Sequence, residues 1–246
     1  MDHCEYIKIA ESKKTAILMI HGILGTPRHF DAFLDVIPED WSVFNILLDG
    51  HGKTVTDFSH TSMKKWKRQV LKIMSRLNKE YDKIVIMGHS MGTLLGIMAS
   101  FAYPHKVKYM FLLNVPLHFY MHPVVMKNSF QILFMKGKRD ASATNMKMAG
   151  SITTTRKLWK YIGWIPRYLE LFQLIRQTRE RLHLVQIPTY TFQSRHDELV
   201  LQKSNTYLDN HPIIENRILE NSGHFGYASA DMNLIKETMQ KVIAEK

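Results

Sequence analysis

The residues best suited to chemistry in this chain are those of the pentapeptide GHSMG at positions 88–92. A G-x-S-x-G pattern is typical of a nucleophile elbow, a sharp turn that exposes a serine hydroxyl between a strand and a helix. Residues 83–87 (KIVIM) have the composition of a short buried strand, and residues 91–102 that of a helix ending before Pro104. The N-terminus of that helix would offer unpaired N–H groups to a developing oxyanion. This context predicts Ser90 as a nucleophile.

A serine hydroxyl is a poor nucleophile at neutral pH, so it needs a base and a carboxylate that orients the base. Asp197 follows a strand-like segment at residues 187–192, and His224 follows another at residues 213–219. Serine, acid, histidine is an established chain order for such a triad. Because each residue follows a predicted parallel strand, we expect all three at one edge of one sheet. The sequence therefore predicts Ser90 as nucleophile, His224 as base and Asp197 as the orienting acid.

Other residues compete for the roles of acid and base, since the chain has 13 histidines. Glu198 is the nearest alternative acid, and Asp49 also ends a predicted strand but precedes the serine. The alternative bases are two histidines in glycine-flanked turns, the variable histidine of the elbow and one that precedes the last strand: His21, His51, His89 and His196. The turn histidines are expected to support loops, the elbow histidine to pack away from the substrate, and the last is disfavoured by chain order.

Acyl transfer also requires hydrogen-bond donors for the oxyanion of the tetrahedral intermediate. We predict that the Met91 backbone N–H, directly after the nucleophile, is one donor. The Ile23 backbone N–H is the predicted second donor, in the HGILG segment at residues 21–25 after an early strand. Taken alone, this segment is equally compatible with an ordinary strand-to-helix loop.

Strand-like and helix-like segments alternate in the first half of the chain, which is typical of a parallel sheet with crossover helices. Further strands are predicted at residues 15–20, 43–48 and 107–114, with helices after Pro27, within residues 61–78 and at about residues 229–244. Residues 117–186 contain no clear buried strand and are rich in aromatic, Met and basic residues, with a helical stretch opening at Pro166. We predict an α/β core of residues 1–115 and 187–246, interrupted by a helical cap at residues 116–186.

The composition is that of one globular domain, with 246 residues of which 45% are hydrophobic. No apolar run reaches the roughly 20 residues of a membrane span, and residues 1–5 lack the order of charges and apolar residues of a signal peptide. The single cysteine, Cys4, excludes an internal disulfide and fits a reducing compartment. We therefore expect a cytoplasmic protein without stable membrane insertion, whose chemistry needs no metal or cofactor.

Most of the net charge of +11 lies in one segment, because residues 127–181 contain twelve Lys or Arg against three acidic residues. A solvated surface on an inserted subdomain would explain this charge. Attraction of an anionic substrate or of an anionic lipid surface is the alternative explanation. Nucleic acid is not expected as a partner, since no nucleic-acid-binding motif accompanies the charge. The Met, Phe and Leu residues of the segment, with Trp159 and Trp164, suit an apolar acyl pocket or the core of the cap itself.

Five motifs in order resemble those of the α/β-hydrolases, most closely the small bacterial carboxylesterases and monoacylglycerol lipases. They are HG-x-x-G at residues 21–25, GHG at 50–52, GHSMG at 88–92, D-x-x-V at 197–200 and SGH at 222–224. The resemblance covers the chain from about residue 15 onward. It implies an α/β-hydrolase fold, with a mostly parallel sheet flanked by helices and an inserted helical cap.

The same resemblance implies Ser90, Asp197 and His224 as the triad and the Ile23 and Met91 amides as the oxyanion donors. The chain departs from that group at Ile23, where an aromatic residue is common, and the cap resembles none that we recognise.

The expected activity is that of a serine hydrolase cleaving carboxylic esters through an acyl-enzyme at Ser90, similar to a carboxylesterase or a monoacylglycerol lipase. The expected substrate is a small-molecule ester, with lipid-like or anionic molecules as the options. Thioesterases, amidases and carbon–carbon bond hydrolases use the same triad and remain alternatives. A noncatalytic binding protein with this fold is an alternative of a different class, against which the intact triad argues.

Overall fold

A seven-stranded sheet organises the computed structural model, which describes residues 3–135 and 139–245. The strands are β1 (Tyr6–Lys8), β2 (Thr15–Ile20), β3 (Ser42–Ile46), β4 (Lys83–His89), β5 (Val107–Leu113), β6 (Thr189–Ser194) and β7 (Ile214–Leu219). Their order in the sheet is β1-β3-β2-β4-β5-β6-β7. All neighbours pair in parallel except β1, which is antiparallel to β3. The predicted α/β-hydrolase sheet is therefore present.

Helices cover both faces of the sheet. They are α1 (Val55–Ser59), α2 (Met63–Glu80), α3 (Met91–Ser100), α4 (Pro123–Phe134), α5 (Ala141–Ala149), α6 (Ile165–Arg181), α7 (Asn205–Asp209) and α8 (Ser229–Glu245). Short 3₁₀ helices lie at Pro27–Val36, Leu158–Trp164, Leu182–Leu184 and Gln202–Ser204. No helix in the described part of the chain is both long enough and apolar enough to cross a membrane.

The core forms because the central strands bury both of their faces. In β2, Leu18 packs with the α2 and α3 side of the sheet, while Ile17 packs with the side covered by α8. The helix predicted within residues 61–78 is present as α2, which buries Trp66, Val70, Met74 and Leu77 at helical spacing and leaves Ile73 half-buried. The sheet is thereby held rigidly between two helical layers, which is the support that a site at its edge requires.

Two elements differ from their sequence-based predictions for local physical reasons. The helix after Pro27 is a 3₁₀ helix, whose three-residue period places both Phe30 and Phe33 in the core. Strand β6 begins at Thr189 rather than at residue 187, because Pro188 has no N–H to donate to a neighbouring strand. Strand β1 has no alternating pattern and was not predicted.

Residues 116–186, which we call the helical insertion, connect β5 to β6 although these two strands are neighbours in the sheet. Where described, this segment consists of helices α4 to α6 and the 3₁₀ helices between and after them. Helix α6 joins the main core through Leu171, Leu174 and Ile175. Lys136 and Lys138, which contribute to the basic charge of the insertion, lie outside the described residues.

Asn114 connects the ends of three strands. It follows β5 in the left-handed backbone region, at φ 53°, and is fully buried. Its Oδ1 accepts a hydrogen bond from the Ser194 N–H at 2.9 Å, at the end of β6. Its Nδ2 lies 3.5 Å from the Gly223 carbonyl, in the loop after β7. A strand-terminal Asn was a signal for this role, since Asn tolerates φ above zero better than most residues.

We predict that Asn114→Ala lowers the free energy of unfolding by about 2–4 kcal/mol. The change leaves the buried Ser194 N–H unpaired. It also places alanine, which has no side-chain hydrogen bonds to offset the strain, in the left-handed backbone region. Asn114→Gly should recover about 1–2 kcal/mol of that loss, because glycine relieves only the backbone strain. Urea unfolding of both variants measures the difference. Equal stability of the two variants would contradict a backbone contribution.

Candidate active site

Ser90 lies at the turn between β4 and α3 in an unusual backbone conformation. Its φ is 51° and its ψ is −123°, which costs free energy for a residue with a side chain. The Ser90 N–H donates to the Leu113 carbonyl at 2.9 Å, and the Ser90 carbonyl accepts from the Thr93 N–H and hydroxyl. These bonds hold the strained turn, as the G-x-S-x-G pattern predicts.

Two glycines allow the neighbouring chain to approach this turn. A Cβ on Gly92 would lie 1.9 Å from the Ile20 carbonyl oxygen, so the start of α3 packs directly against the end of β2. A Cβ on Gly22 would lie 2.9 Å from the Cβ of Ser90. The loop after β2 therefore rests against the serine, and no residue larger than glycine fits at either contact.

Asp197 and His224 form a buried pair. The Nδ1 atom of His224 lies 2.9 Å from Oδ2 and 3.0 Å from Oδ1 of Asp197. Asp197 Oδ1 also accepts the Leu199 and Val200 N–H groups, each at 2.7 Å. The carboxylate is thereby fixed in orientation, and its bond to Nδ1 leaves Nε2 of His224 as the nitrogen available to accept a proton.

Glu198, the alternative acid, has a different partner. Its Oε2 accepts the backbone N–H of His224 at 2.6 Å. The other alternative, Asp49, accepts the Thr61 hydroxyl at 2.8 Å and so is also engaged elsewhere. The geometry thus pairs the imidazole with the predicted acid, Asp197.

The loop that carries His224 is held by a buried carboxylate that the sequence analysis missed. Asp231 Oδ2 accepts the Ser222 hydroxyl at 2.6 Å and the Asn221 N–H at 2.8 Å. Ser222 in turn accepts the Ala228 N–H at 3.0 Å. The serine of the SGH motif therefore positions the loop. The acidic residue in the first turn of the last helix was the available signal for Asp231.

His89 places His224 close to Ser90. His89 directly precedes Ser90 in the chain, and the centroid of its ring is 5.0 Å from that of the His224 ring. Among the described residues, the His224 ring bonds to Asp197 and not to the Ser90 hydroxyl. Hydrogen bonds between a nucleophile and its base are often long in unliganded enzymes and shorten when substrate binds.

The predicted oxyanion donors lie on either side of the serine. Met91 begins α3 immediately after Ser90, and Ile23 follows Gly22 in the loop that packs against it. No group within the described ranges accepts a hydrogen bond from either N–H. Both amides are thus available to a ligand in this structure.

His21 and His51 brace the loop that contains Ile23. His51 Nε2 accepts the Leu24 N–H at 3.1 Å, and His21 Nε2 accepts the Leu48 N–H at 3.1 Å. An imidazole that accepts at Nε2 is neutral. Burial agrees with this state, since it lowers the pKa of His21 to about 4 and holds that of His51 well below its usual value. Both histidines support the loop, as expected for the two turn positions.

His89 and His29 form a stack behind His224. Their ring centroids are 3.7 Å apart, and His29 Nε2 lies 3.2 Å from the Tyr227 hydroxyl. Burial, reinforced by the neighbouring histidines, lowers the pKa of His29 to about 3 and that of His89 well below its usual value. The elbow histidine, His89, is therefore a neutral residue that packs in the interior. His196, another of the alternative bases, is exposed.

A cavity of about 690 Å³ borders the loop that carries His224. It lies between the 3₁₀ helix after β2, helix α5 and residues 221–232, and its lining includes Arg28, Asn145, Glu198 and Phe225. Its volume is within the range of small-molecule sites. Residues 3–135 and 139–245 contain no group of three or more His, Cys, Asp or Glu arranged to hold a metal ion.

Comparisons with known proteins agree with the fold. A family model described as serine aminopeptidase, S33, matches residues 11–217. A solved structure described with LipS and LipT, two metagenome-derived lipolytic enzymes, is similar at a TM-score of 0.76 and 18% identity, over 100% of this chain and 98% of that chain. The monoacylglycerol lipase of Paleococcus ferrophilus has a TM-score of 0.67 and 13% identity, over 100% of both chains.

Est1E of Butyrivibrio proteoclasticus, solved with bound ferulic acid, is similar at a TM-score of 0.68 and 17% identity, over 98% of this chain and 94% of that chain. Identities this low establish a shared fold and carry no substrate from one protein to another.

The two neighbouring carboxylates should differ sharply in their contribution to turnover. Asp197→Asn should lower kcat by up to about 10⁴-fold, because an amide no longer selects the Nδ1–H tautomer of His224. Glu198→Gln keeps an oxygen that accepts the His224 N–H, so its kcat should change by less than about tenfold. Steady-state kinetics on a soluble p-nitrophenyl ester compare the two. A larger loss in Glu198→Gln would mean that Glu198 is the orienting acid.

The free energy of unfolding should decrease at low pH, because the buried histidines of the folded protein resist protonation. Burial lowers the folded-state pKa of His21 to about 4, so below about pH 6.5 the unfolded chain binds protons that the folded chain does not. The free energy of unfolding should therefore decrease as the pH falls from 6.5 towards 4, by up to about 1.4 kcal/mol per pH unit for each such histidine.

Urea unfolding at several pH values tests this dependence. His51→Gln should reduce the slope, because it removes one of the buried imidazoles while leaving an oxygen that can accept the Leu24 N–H. A slope that is identical in the variant would show that His51 does not contribute to the acid sensitivity.

Proposed function

The chain belongs to the S33 serine aminopeptidase family of α/β-hydrolases, and from this membership we propose that it is a serine hydrolase that cleaves carboxylic esters through an acyl-enzyme at Ser90. The observation that carries the proposal is the buried pair of His224 Nδ1 and Asp197 Oδ2, 2.9 Å apart, beside a serine held at φ 51°. Lipolytic enzymes and esterases among the similar structures agree with this chemistry.

The first half-reaction forms the acyl-enzyme. The Ser90 hydroxyl attacks the ester carbonyl while His224 Nε2 accepts its proton. Asp197 keeps the remaining ring proton on Nδ1 and stabilises the imidazolium. His224 then donates its proton to the leaving alcohol, and the carbon–oxygen bond to that alcohol breaks.

The second half-reaction releases the acid. A water molecule gives a proton to His224 and attacks the acyl carbon, after which the proton returns to the Ser90 oxygen. In both tetrahedral intermediates the negative oxygen accepts hydrogen bonds from the Ile23 and Met91 N–H groups. Removing one such donor from a hydrolase typically lowers kcat by about 10²–10³-fold.

Charges near the site favour an ester over the peptide that the family name suggests. An aminopeptidase must bind the positively charged amino terminus of its substrate. Residues 127–181 carry an excess of nine positive charges. This charge disfavours a cationic substrate.

Ser90→Ala should abolish hydrolysis of p-nitrophenyl esters while leaving the unfolding transition nearly unchanged. Alanine lacks the nucleophilic hydroxyl of serine but keeps its Cβ, so the packing around residue 90 changes little. The measurement is kcat/KM over a panel of graded acyl chains, including monoacylglycerols, with acyl thioesters and aminoacyl p-nitroanilides in parallel. A fluorophosphonate probe should label the wild-type protein and not Ser90→Ala.

Three results would contradict the proposal. Ester hydrolysis retained by Ser90→Ala would exclude Ser90 as the nucleophile. Faster turnover of thioesters or anilides than of every ester would assign the site to the thioesterases or amidases. Absence of both labelling and turnover in the wild-type protein would support a noncatalytic binding role.

A further inference from the structure

Exposed apolar side chains are concentrated in the helical insertion. Among the described residues, 19 large hydrophobic side chains are exposed, and 13 of them lie within residues 116–186. Exposed apolar patches of this kind indicate a site of interaction with a protein, a membrane or a ligand. The strands of the core show the opposite distribution, with nearly all their large hydrophobic residues buried.

Six of these side chains form a first stripe along two consecutive elements. Leu158, Trp159 and Ile162 lie in the 3₁₀ helix at Leu158–Trp164, and Ile165, Leu169 and Phe172 lie in α6. Trp159 and Ile162 are three residues apart, which is the spacing of one face of a 3₁₀ helix. Ile165, Leu169 and Phe172 have the spacing of one α-helical face, which differs from the face that Leu171, Leu174 and Ile175 bury in the core. Ile162 is 65% exposed and Leu169 is 61% exposed.

A second stripe lies on α4. Met126, Phe130 and Phe134 follow each other at four-residue spacing, and all three are exposed. The C-terminal end of α4 is linked to the segment just before the first stripe, because the Arg156 side chain donates to the Leu133 and Phe134 carbonyls. We call the two stripes together the apolar face.

Positive charge accompanies the apolar face. Each acid of residues 127–181 pairs with a basic neighbour: Asp140 with Lys127, Glu170 with Arg167 and Glu180 with Arg176. The other seven described basic residues of this segment have no carboxylate among the described residues within salt-bridge distance: Arg139, Lys147, Arg156, Lys157, Lys160, Arg179 and Arg181. Lys157 and Lys160 are exposed next to Leu158, Trp159 and Ile162.

The exposed apolar side chains and the positive charge beside them together favour one kind of surface as the occupant of the apolar face. A second copy of the chain would bring two segments with nine excess positive charges against each other, and like charges oppose such contact. An anionic lipid surface complements both features, since its headgroups attract Lys and Arg while its acyl boundary accepts apolar side chains. Trp159, which is 66% exposed, has the amphipathic ring that prefers the membrane–water boundary.

We propose that the apolar face of the helical insertion docks this protein reversibly on the surface of an anionic lipid bilayer. Trp159, Ile162 and Leu169 enter the headgroup boundary, and Lys157 and Lys160 contact the lipid phosphates. The proposal is independent of ester hydrolysis, because lipid binding is measured without turnover.

The test is cosedimentation of the whole chain with vesicles of phosphatidylcholine, with and without phosphatidylglycerol. The wild-type protein should bind only the phosphatidylglycerol vesicles, and less strongly as salt is added. Trp159→Ala should remove the blue shift of tryptophan emission on binding. Ile162→Ser/Leu169→Ser should weaken binding at least tenfold while retaining turnover of a soluble p-nitrophenyl ester, because both side chains are exposed.

A matched pair of charge reversals separates the proposed face from net charge. Lys157→Glu/Lys160→Glu should lower the partition coefficient by at least about 25-fold, because each basic residue near an anionic surface contributes about fivefold. Lys79→Glu/Lys241→Glu changes the net charge equally at exposed positions towards the C-terminal ends of α2 and α8. This second variant should bind nearly as well as the wild-type protein.

Three results would overturn the proposal. The first is that the wild-type protein does not bind phosphatidylglycerol vesicles at low salt. The second is that both charge reversals weaken binding equally, which would indicate attraction by net charge alone. The third is a dimer in analytical ultracentrifugation that Ile162→Ser/Leu169→Ser dissociates, which would make a second copy the occupant of the apolar face.

Discussion

The backbone of Ser90 is the constraint on which the rest of the site depends. A residue with a side chain is strained at φ 51°, and the turn persists only because its surroundings leave no alternative. Gly92 lies so close to the Ile20 carbonyl that β2, β4 and the start of α3 form one unit. The strain is therefore borne by the two central strands of a sheet that is buried on both faces. A serine on a flexible loop would not stay in this conformation.

Neutral histidines build the surroundings of this turn. An imidazole that is kept from protonation by burial can donate at one nitrogen and accept at the other, which suits loops whose backbone groups need both kinds of partner. His21 and His51 use this property to hold the loop that carries Ile23, and His29 and His89 fill the space behind His224. The abundance of histidine in the chain thus has a structural explanation beyond the single proposed base.

The core and the helical insertion follow opposite rules of exposure. In the core most large hydrophobic residues are buried, whereas the insertion exposes many of its own among basic side chains. The insertion is nevertheless tied to the site, since the Ser151 N–H donates to the Leu24 carbonyl at 2.8 Å, one residue beyond Ile23. The insertion therefore contacts the loop that packs against Ser90.

Local signals in the sequence were sufficient for the strands β2 to β7 and the helices α2, α3, α6 and α8, and they predict Ser90, Asp197 and His224 as candidate site residues. Each of these depends on a short pattern: alternation, helical spacing or a motif at the end of a strand. Tertiary structure alone decided which carboxylate pairs with His224, because Asp197 and Glu198 are adjacent and only their directions differ. It also decided the partners of Asn114 and Asp231. Asn114 binds a group that is distant in sequence, and Asp231 binds a group on the other side of a loop. The same holds for the apolar face, since a hydrophobic residue at helical spacing has the same sequence pattern whether a neighbour covers it or not.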